Sequence, residues 1–320
     1  MKQIGRYTLV IIAGLAVAGC GGAGATVPQG AITQSRAHQA SGSSGDLLYV
    51  TYGHEVYVLT FPTLKKVETF RPPTWLGFNG ASNPNDGDMC FDNDKSVYLF
   101  AHGGTKPYAA IGTPTEGESN FDCAWDPTTN SLAITVDSIT KGTWVNVYTN
   151  PSGYPTTYSS PSLNFMEYAA YDGDGNLFVN GQGPSGGALV ELPKGGNKLV
   201  TLSTGTLSPY GPLAWDGNYM TLPQRRDIYR FETSGSSLTI VGKTVMKDTT
   251  VPMQITIAGD LIVGDAINQS GNGHVNGRWL GLWNYPKGGK PYTAIRFVRK
   301  KEGIGTVLVS VAPSGTRIHK

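Results

Sequence analysis

Charge is scarce in this chain. Asp, Glu, Lys and Arg make up 15% of its 320 residues and leave a formal net charge of +2, against about 25% in ordinary domains. Such a balance carries no electrostatic footprint for nucleic acid. Helical periodicity is missing as well: from Asp46 onward no stretch repeats its apolar residues every 3.6 positions. No GxSxG elbow, HExxH pair or P-loop occurs. His38, His54, His102, His274 and His319 are scattered without metal-ligand spacing. The residue types therefore assemble no catalytic set, and no catalytic residue is assigned. Cysteine is rare, with only Cys20, Cys90 and Cys123. What the chain does hold is 39% apolar residues, enough for a core, and 43 glycines and 20 prolines, which mark many turns.

The N-terminus has a direction. Lys2 and Arg6 precede an apolar run from Tyr7 to Ala18, followed by Val17-Ala18-Gly19-Cys20. The run is too short to span a bilayer, which takes about 20 residues. It reads as a signal peptide over 1–19. A cysteine directly after small residues resembles the lipobox of bacterial lipoproteins. That resemblance implies diacylglycerol on the Cys20 thiol, and with it a place in the bacterial cell envelope, extracytoplasmic and anchored to the membrane. Gly, Ser, Ala and Gln dominate the stretch up to residue 45. Residues 20–45 thus form the lipidated cysteine and a flexible tether, spanning on the order of 25–30 Å.

The tract "YDGDGNLFVNG" (171–181) places Asp172, Asp174 and Asn176 at every second position, as a calcium loop begins. Counted from Asp172, the EF-hand glycine position is Leu177 and the bidentate-glutamate position is Gly183. Both fail. The tract is also repeated, as "CFDNDKSVYLF" (90–100), "AWDPTTNSLAIT" (124–135) and "AWDGNYMTL" (214–222). It reads as a strand, an aromatic residue, Asp, a hairpin turn and a second strand. The markers Asp92, Asp126, Asp172 and Asp216 are 34, 46 and 44 residues apart. A second landmark, a strand ending in Pro, recurs at Pro62, Pro193 and Pro286, 131 and 93 residues apart, or three and two periods of about 45.

That period suits an all-β, six-bladed β-propeller over 46–312, followed by a tail at 313–320. The first unit, "LLYVTY", lacks an innermost strand, and "GIGTVLVSV" (303–311) is a strand without a unit. The C-terminal strand should complete the first blade and close the ring. Blade two is shortened: ten residues separate Asp92 from His102, against 22 from Asp172 to Lys194. A merged or absent strand is expected there, and an inserted loop in blade six over 266–278. These repeats resemble six-bladed propellers of the NHL and senescence-marker/gluconolactonase type. They are closer still to an uncharacterised group of bacterial lipoproteins with "DGxGNLFV" and "YPKGGKP" repeats. The likeness implies the fold and no established activity.

Cys90 and Cys123 should lie on first strands of consecutive blades, facing each other. In an exported protein this pattern suggests a disulfide. Asp88, Asp122 and Glu167 precede their markers by four or five residues and are candidates for an acidic channel mouth. Such oxygens would suit Ca²⁺ or Mg²⁺, and the gluconolactonase likeness implies a metal at that place. Trp75 is the candidate for an exposed contact, and Arg296, Arg299, Lys300 and Lys301 form a small basic run. The chain is read as a monomeric binding or scaffold module with a protein or glycan partner. The alternative is a lactonase-like, divalent-metal-dependent hydrolase.

Overall fold

The computed structural model describes residues 45–312, except 78, 113–116, 152, 248–254, 267–278 and 298–303. The expected signal peptide, Cys20, the tether up to residue 44, the tail at 313–320, nearly all of the blade-six insertion and Arg299 to Lys301 fall outside the described residues.

Twenty-four strands among the described residues form six four-stranded antiparallel sheets. Blade one holds β1 (Leu47–Tyr52), β2 (Glu55–Thr60) and β3 (Lys66–Phe70). Blade two holds β4 (Gly80–Ser82), β5 (Met89–Asp92), β6 (Ser96–Phe100) and β7 (Ala109–Gly112). Blade three holds β8 (Glu118–Trp125), β9 (Leu132–Ser138), β10 (Gly142–Tyr148) and β11 (Thr156–Tyr158). Blade four holds β12 (Phe165–Tyr171), β13 (Leu177–Gly183), β14 (Gly186–Leu192) and β15 (Val200–Thr201). Blade five holds β16 (Ala214–Trp215), β17 (Met220–Gln224), β18 (Asp227–Ser234) and β19 (Ser237–Val245). Blade six holds β20 (Ile255–Ala258), β21 (Leu261–Ala266), β22 (Trp279–Asn284) and β23 (Thr293–Arg296). The chain then returns as β24 (Ile304–Ser310), which pairs with β1 from Leu47↔Ser310 to Tyr52↔Ile304. The six-bladed propeller and its C-terminal closure are as expected. All six sheets and the closing seam lie within 45–312.

Strands towards the middle of the ring are buried on both faces because each blade is sandwiched between two others. "LLYVTY" is buried at every position. Its alternation then divides it between neighbours: Leu48, Val50 and Tyr52 pack towards blade six, Leu47 and Tyr49 towards blade two. The core is accordingly six separate layers, one per seam. A side chain also crosses each seam to a backbone carbonyl or amide. Thr306 Oγ1 donates to Gly77 O, Asn79 Nδ2 to Phe121 O and Ala169 N to Asp122 Oδ2. Asn180 Nδ2 donates to Gly211 O, Thr244 Oγ1 to Pro286 O and Thr256 Oγ1 to Val307 O.

Blade two corrects one expectation. Its strands are the shortest set, at 3, 4, 5 and 4 residues, yet none is missing. Asp92 ends the second strand, whereas Asp126, Asp172 and Asp216 follow innermost strands. The residues lacking after Asp92 are made up before it by Gly80-Ala81-Ser82. Three small residues carry no strand pattern, and at the first of them nothing larger fits: a Cβ on Gly80 would meet Cys90 O at 2.4 Å. Cys90 consequently lies on a second strand and Cys123 on a first. They still meet, for both face the seam between blades two and three, and their sulfurs are bonded.

The tract at 171–181 is a hairpin turn between β12 and β13. Asp172 Oδ1 accepts from the amides of Asp174 and Asn176, and Oδ2 from Asn176 Nδ2. Asp126 and Asp216 gather the amides of their own turns in the same way.

Candidate functional site

The six innermost strands, β24, β4, β8, β12, β16 and β20, enclose a central channel of about 350 Å³. They run in the same direction, so the channel has an entrance where they begin and an exit where they end. One residue per blade lines each level. Near the entrance these are Asn79, Asp122, Tyr168, Pro212, Ile255 and Val307; near the exit they are Pro84, Trp125, Tyr171, Trp215, Ile257 and Val311. Trp125, Tyr171 and Trp215 are the aromatic residues that directly precede the turn aspartates. The repeat thereby builds an aromatic collar at the exit. Between the two levels the wall is mostly Ala, with Leu213, Leu308 and Val309.

The three carboxylates expected at one mouth do not all meet. The side chain of Asn79 reaches Phe121, whereas that of Asn85 reaches Pro127 and Asn130. Asp88, between Asn85 and β5, is therefore at the exit end. It accepts the Tyr108 hydroxyl at 2.8 Å and is not a channel-lining residue. Asp122, just past the middle of β8, and Glu167, near the start of β12, do stand together on the entrance side. Each lies at a β-bulge in its strand, between Asn120 and Asp122 and between Met166 and Tyr168. Bulges re-aim side chains in this way, and no residue-type pattern announces them. Asp92 joins them at the entrance because it ends an outward-leading second strand. It was legible only as a period marker.

Asp122 is fully buried, and burial pushes its carboxyl up to about 8. Amides of Ala169 and Cys123 pull it down, at 2.9 and 2.8 Å, and the Glu167 charge pushes it up again. Burial wins, and the group is largely protonated at pH 7. Both its oxygens accept backbone amides, which leaves it a strut between blades three and four. Glu167 is raised by burial, against the hydroxyls of Tyr210 and Tyr168. Burial also raises Asp92 well above the usual range, against the Asn79 amide. No group of three or more His, Cys, Asp or Glu side chains among the described residues is arranged to hold a metal. Trp75, expected to be exposed, is half-buried.

The raised carboxyls set a pH dependence. Folded Asp122 keeps its proton to about pH 8, whereas an unfolded one loses it near 3.9. Its contribution is fully present below the unfolded value and is lost as pH rises through the folded one, at about 1.4 kcal/mol per pH unit per extra proton. Asp92 acts in the same sense. His102 acts oppositely, since burial lowers it and its cost appears only below about 6.5. The urea midpoint should therefore fall between pH 6.5 and 8.5, and Asp122→Asn should flatten that slope. A midpoint unchanged over this interval would contradict the assignment.

No protein-family model matches the chain, and no curated protein matches its sequence. Solved structures do. The chain in a nidogen/laminin complex superposes with a TM-score of 0.64 at 11% identity, over 84% of this chain and 99% of that one. A protein of unknown function from Bacteroides caccae gives 0.61 at 13%, over 83% and 99%. Hydrazine synthase of Kuenenia stuttgartiensis gives 0.55 at 13%, over 79% and 81%. At such identities the likeness is one of fold, and the fold of this chain is the six-bladed β-propeller.

Proposed function

We propose that this chain is a lipid-anchored, extracytoplasmic binding module of the bacterial cell envelope, held to the membrane through Cys20. The observation that carries the binding role is the channel, a walled cavity of about 350 Å³ within the size range of ligand sites. The lipobox-like Val17-Ala18-Gly19-Cys20 supports the anchor. The hydrolase alternative loses its basis in the separation of Asp88 from Asp122 and Glu167, and in the two amides that occupy Asp122.

Two measurements test the reading. Mass spectrometry of the mature protein should find diacylglycerol on Cys20; an unmodified cysteine or cleavage elsewhere ends the anchor. Native mass spectrometry of protein taken from its own cell envelope should find a small non-covalent cargo. A ring without cargo that opens a panel of lactones, and loses this turnover in Glu167→Gln, would instead establish the hydrolase.

A further inference from the structure

The ring has both of its chain ends on one face. Asp46 precedes β1 and Ala312 follows β24, and the Ala312 amide donates to Asp46 Oδ1 at 2.9 Å. Both stand at the channel exit, where β24 ends. The segment that leads back to Cys20 therefore joins the ring at the exit face. On the anchor reading, on which this step rests, that is the face next to the membrane.

Four outer loops carry lysine to the same face: 61–65 after β2, 101–108 after β6, 193–199 after β14 and 285–292 after β22. Hydrogen bonds tie each of them to the exit end of the ring. Phe61 N donates to Asp46 O, and Tyr285 N to Asp260 O. Lys194 N donates to Asn176 Oδ1 in the exit turn of blade four. His102 Nδ1 lies 2.7 Å from Ser310 Oγ at the end of β24. Together these loops hold Lys65, Lys106, Lys194, Lys198, Lys287 and Lys290, and not one Asp or Glu. All six lysines are exposed, and none is in an ion pair among the described residues. The acid of this face sits nearer the axis. There Asp46, Asp86, Asp88, Asp126, Asp172 and Asp216 each accept a hydrogen bond from the protein itself. Asp174 and Asp260 are the exposed acids of the inner turns, so base exceeds acid at the rim.

The rim also presents rings. Tyr154, between β10 and β11, is 85% exposed, and Tyr292, in the last of the lysine loops, is 50% exposed. A ring with a polar tip suits the boundary between water and lipid. Unpaired lysines beside it attract anionic headgroups, each worth about fivefold in affinity for such a surface.

We infer that the exit face docks on an anionic membrane surface through its lysine loops together with Tyr154 and Tyr292, which turns the aromatic collar towards the bilayer. The entrance then faces away from the lipid.

Protein taken from its own cell envelope is mixed with vesicles of phosphatidylcholine, with or without phosphatidylglycerol. Its lysines are acetylated by sulfosuccinimidyl acetate and read by mass spectrometry. On the anionic vesicles the six rim lysines should react about threefold more slowly or less, with Lys95 and Lys141 at the entrance unchanged. High salt should abolish the difference. Lys194→Gln, Lys198→Gln, Lys287→Gln and Lys290→Gln combined should remove the protection of Lys65 and Lys106, with the melting temperature within a few degrees of the parent. Equal rates on the two kinds of vesicle overturn the inference. So does protection of Lys95 and Lys141 in place of the rim, or rim protection that survives high salt. Acetylation in the native envelope adds one more outcome: rim protection there, without any on anionic vesicles, would assign the rim to an acidic protein or glycan and overturn the lipid. The anchor is scored separately. Diacylglycerol on Cys20 with equal rates removes only the docking face. An unmodified Cys20, in a protein that sediments with anionic vesicles alone and has its rim protected there, removes the anchor and leaves the docking face standing.

Discussion

Replacing Cys90 and Cys123 together by alanine should lower the unfolding free energy by about 3–4 kcal/mol. The bond closes a loop with a sequence separation of 33 residues, and chain-entropy reasoning assigns a loop of that length roughly this much. The position adds to the effect. Blade two has the fewest strand residues of the six blades, and its inner strand β4 pairs with β5 at only three positions. Cys90 on β5 is tied to Cys123 on β8, which fastens this blade to the longest inner strand of the ring. Both cysteines are fully buried in an apolar layer with Leu99, Ile134 and Val136, where alanine leaves no stranded polar group. Urea unfolding of the double variant, beside the parent with and without reductant, measures the difference. A loss below about 1 kcal/mol would show that packing alone holds the seam.

Opening the ring should cost more. A chain ending before β24 should fail to unfold cooperatively and should aggregate. Without β24, the inner edge of β1 is bare over the whole of "LLYVTY", a six-residue, uncharged, β-rich segment. Exposed edges of this composition pair with other chains. The loss also removes Val307, Leu308 and Val309, each almost fully buried. It removes Thr306 as well, whose amide is bonded to Thr51 and whose hydroxyl is bonded to Gly77. A single-residue version is Leu308→Ala, expected to cost about 2–5 kcal/mol because the cavity left at the seam cannot collapse. Calorimetry decides both: a truncated chain that still melts in one sharp, reversible transition would contradict closure by this strand.

How far the sequence could be read depended on whether a feature repeats. Asp126, Asp172 and Asp216 were legible as turn markers because each gathers the amides of its own hairpin, a local event within four residues. Blade two was misread because its marker, Asp92, does a different job. Its Oδ1 accepts the Asn79 amide, thirteen residues earlier in the chain and beside the entrance, and that partnership has no local signature. The cysteine pairing survived this error because side-chain alternation holds on a first or second strand alike. The exit collar was missed for another reason. Trp125, Tyr171 and Trp215 precede turn aspartates as core residues also do, and only the ring shows that they converge.

By itself, then, the sequence determined the class, the blade number, the closure and the disulfide, because period, alternation and turn chemistry are properties of a chain along its length. The tertiary structure alone decided which residues share the channel. Six inner strands from six separate stretches bring their sides together around one axis, and two bulges re-aim Asp122 and Glu167 there. Asp88, four residues from its marker just as Asp122 is, ends at the opposite mouth because one three-residue strand shifts blade two by a strand.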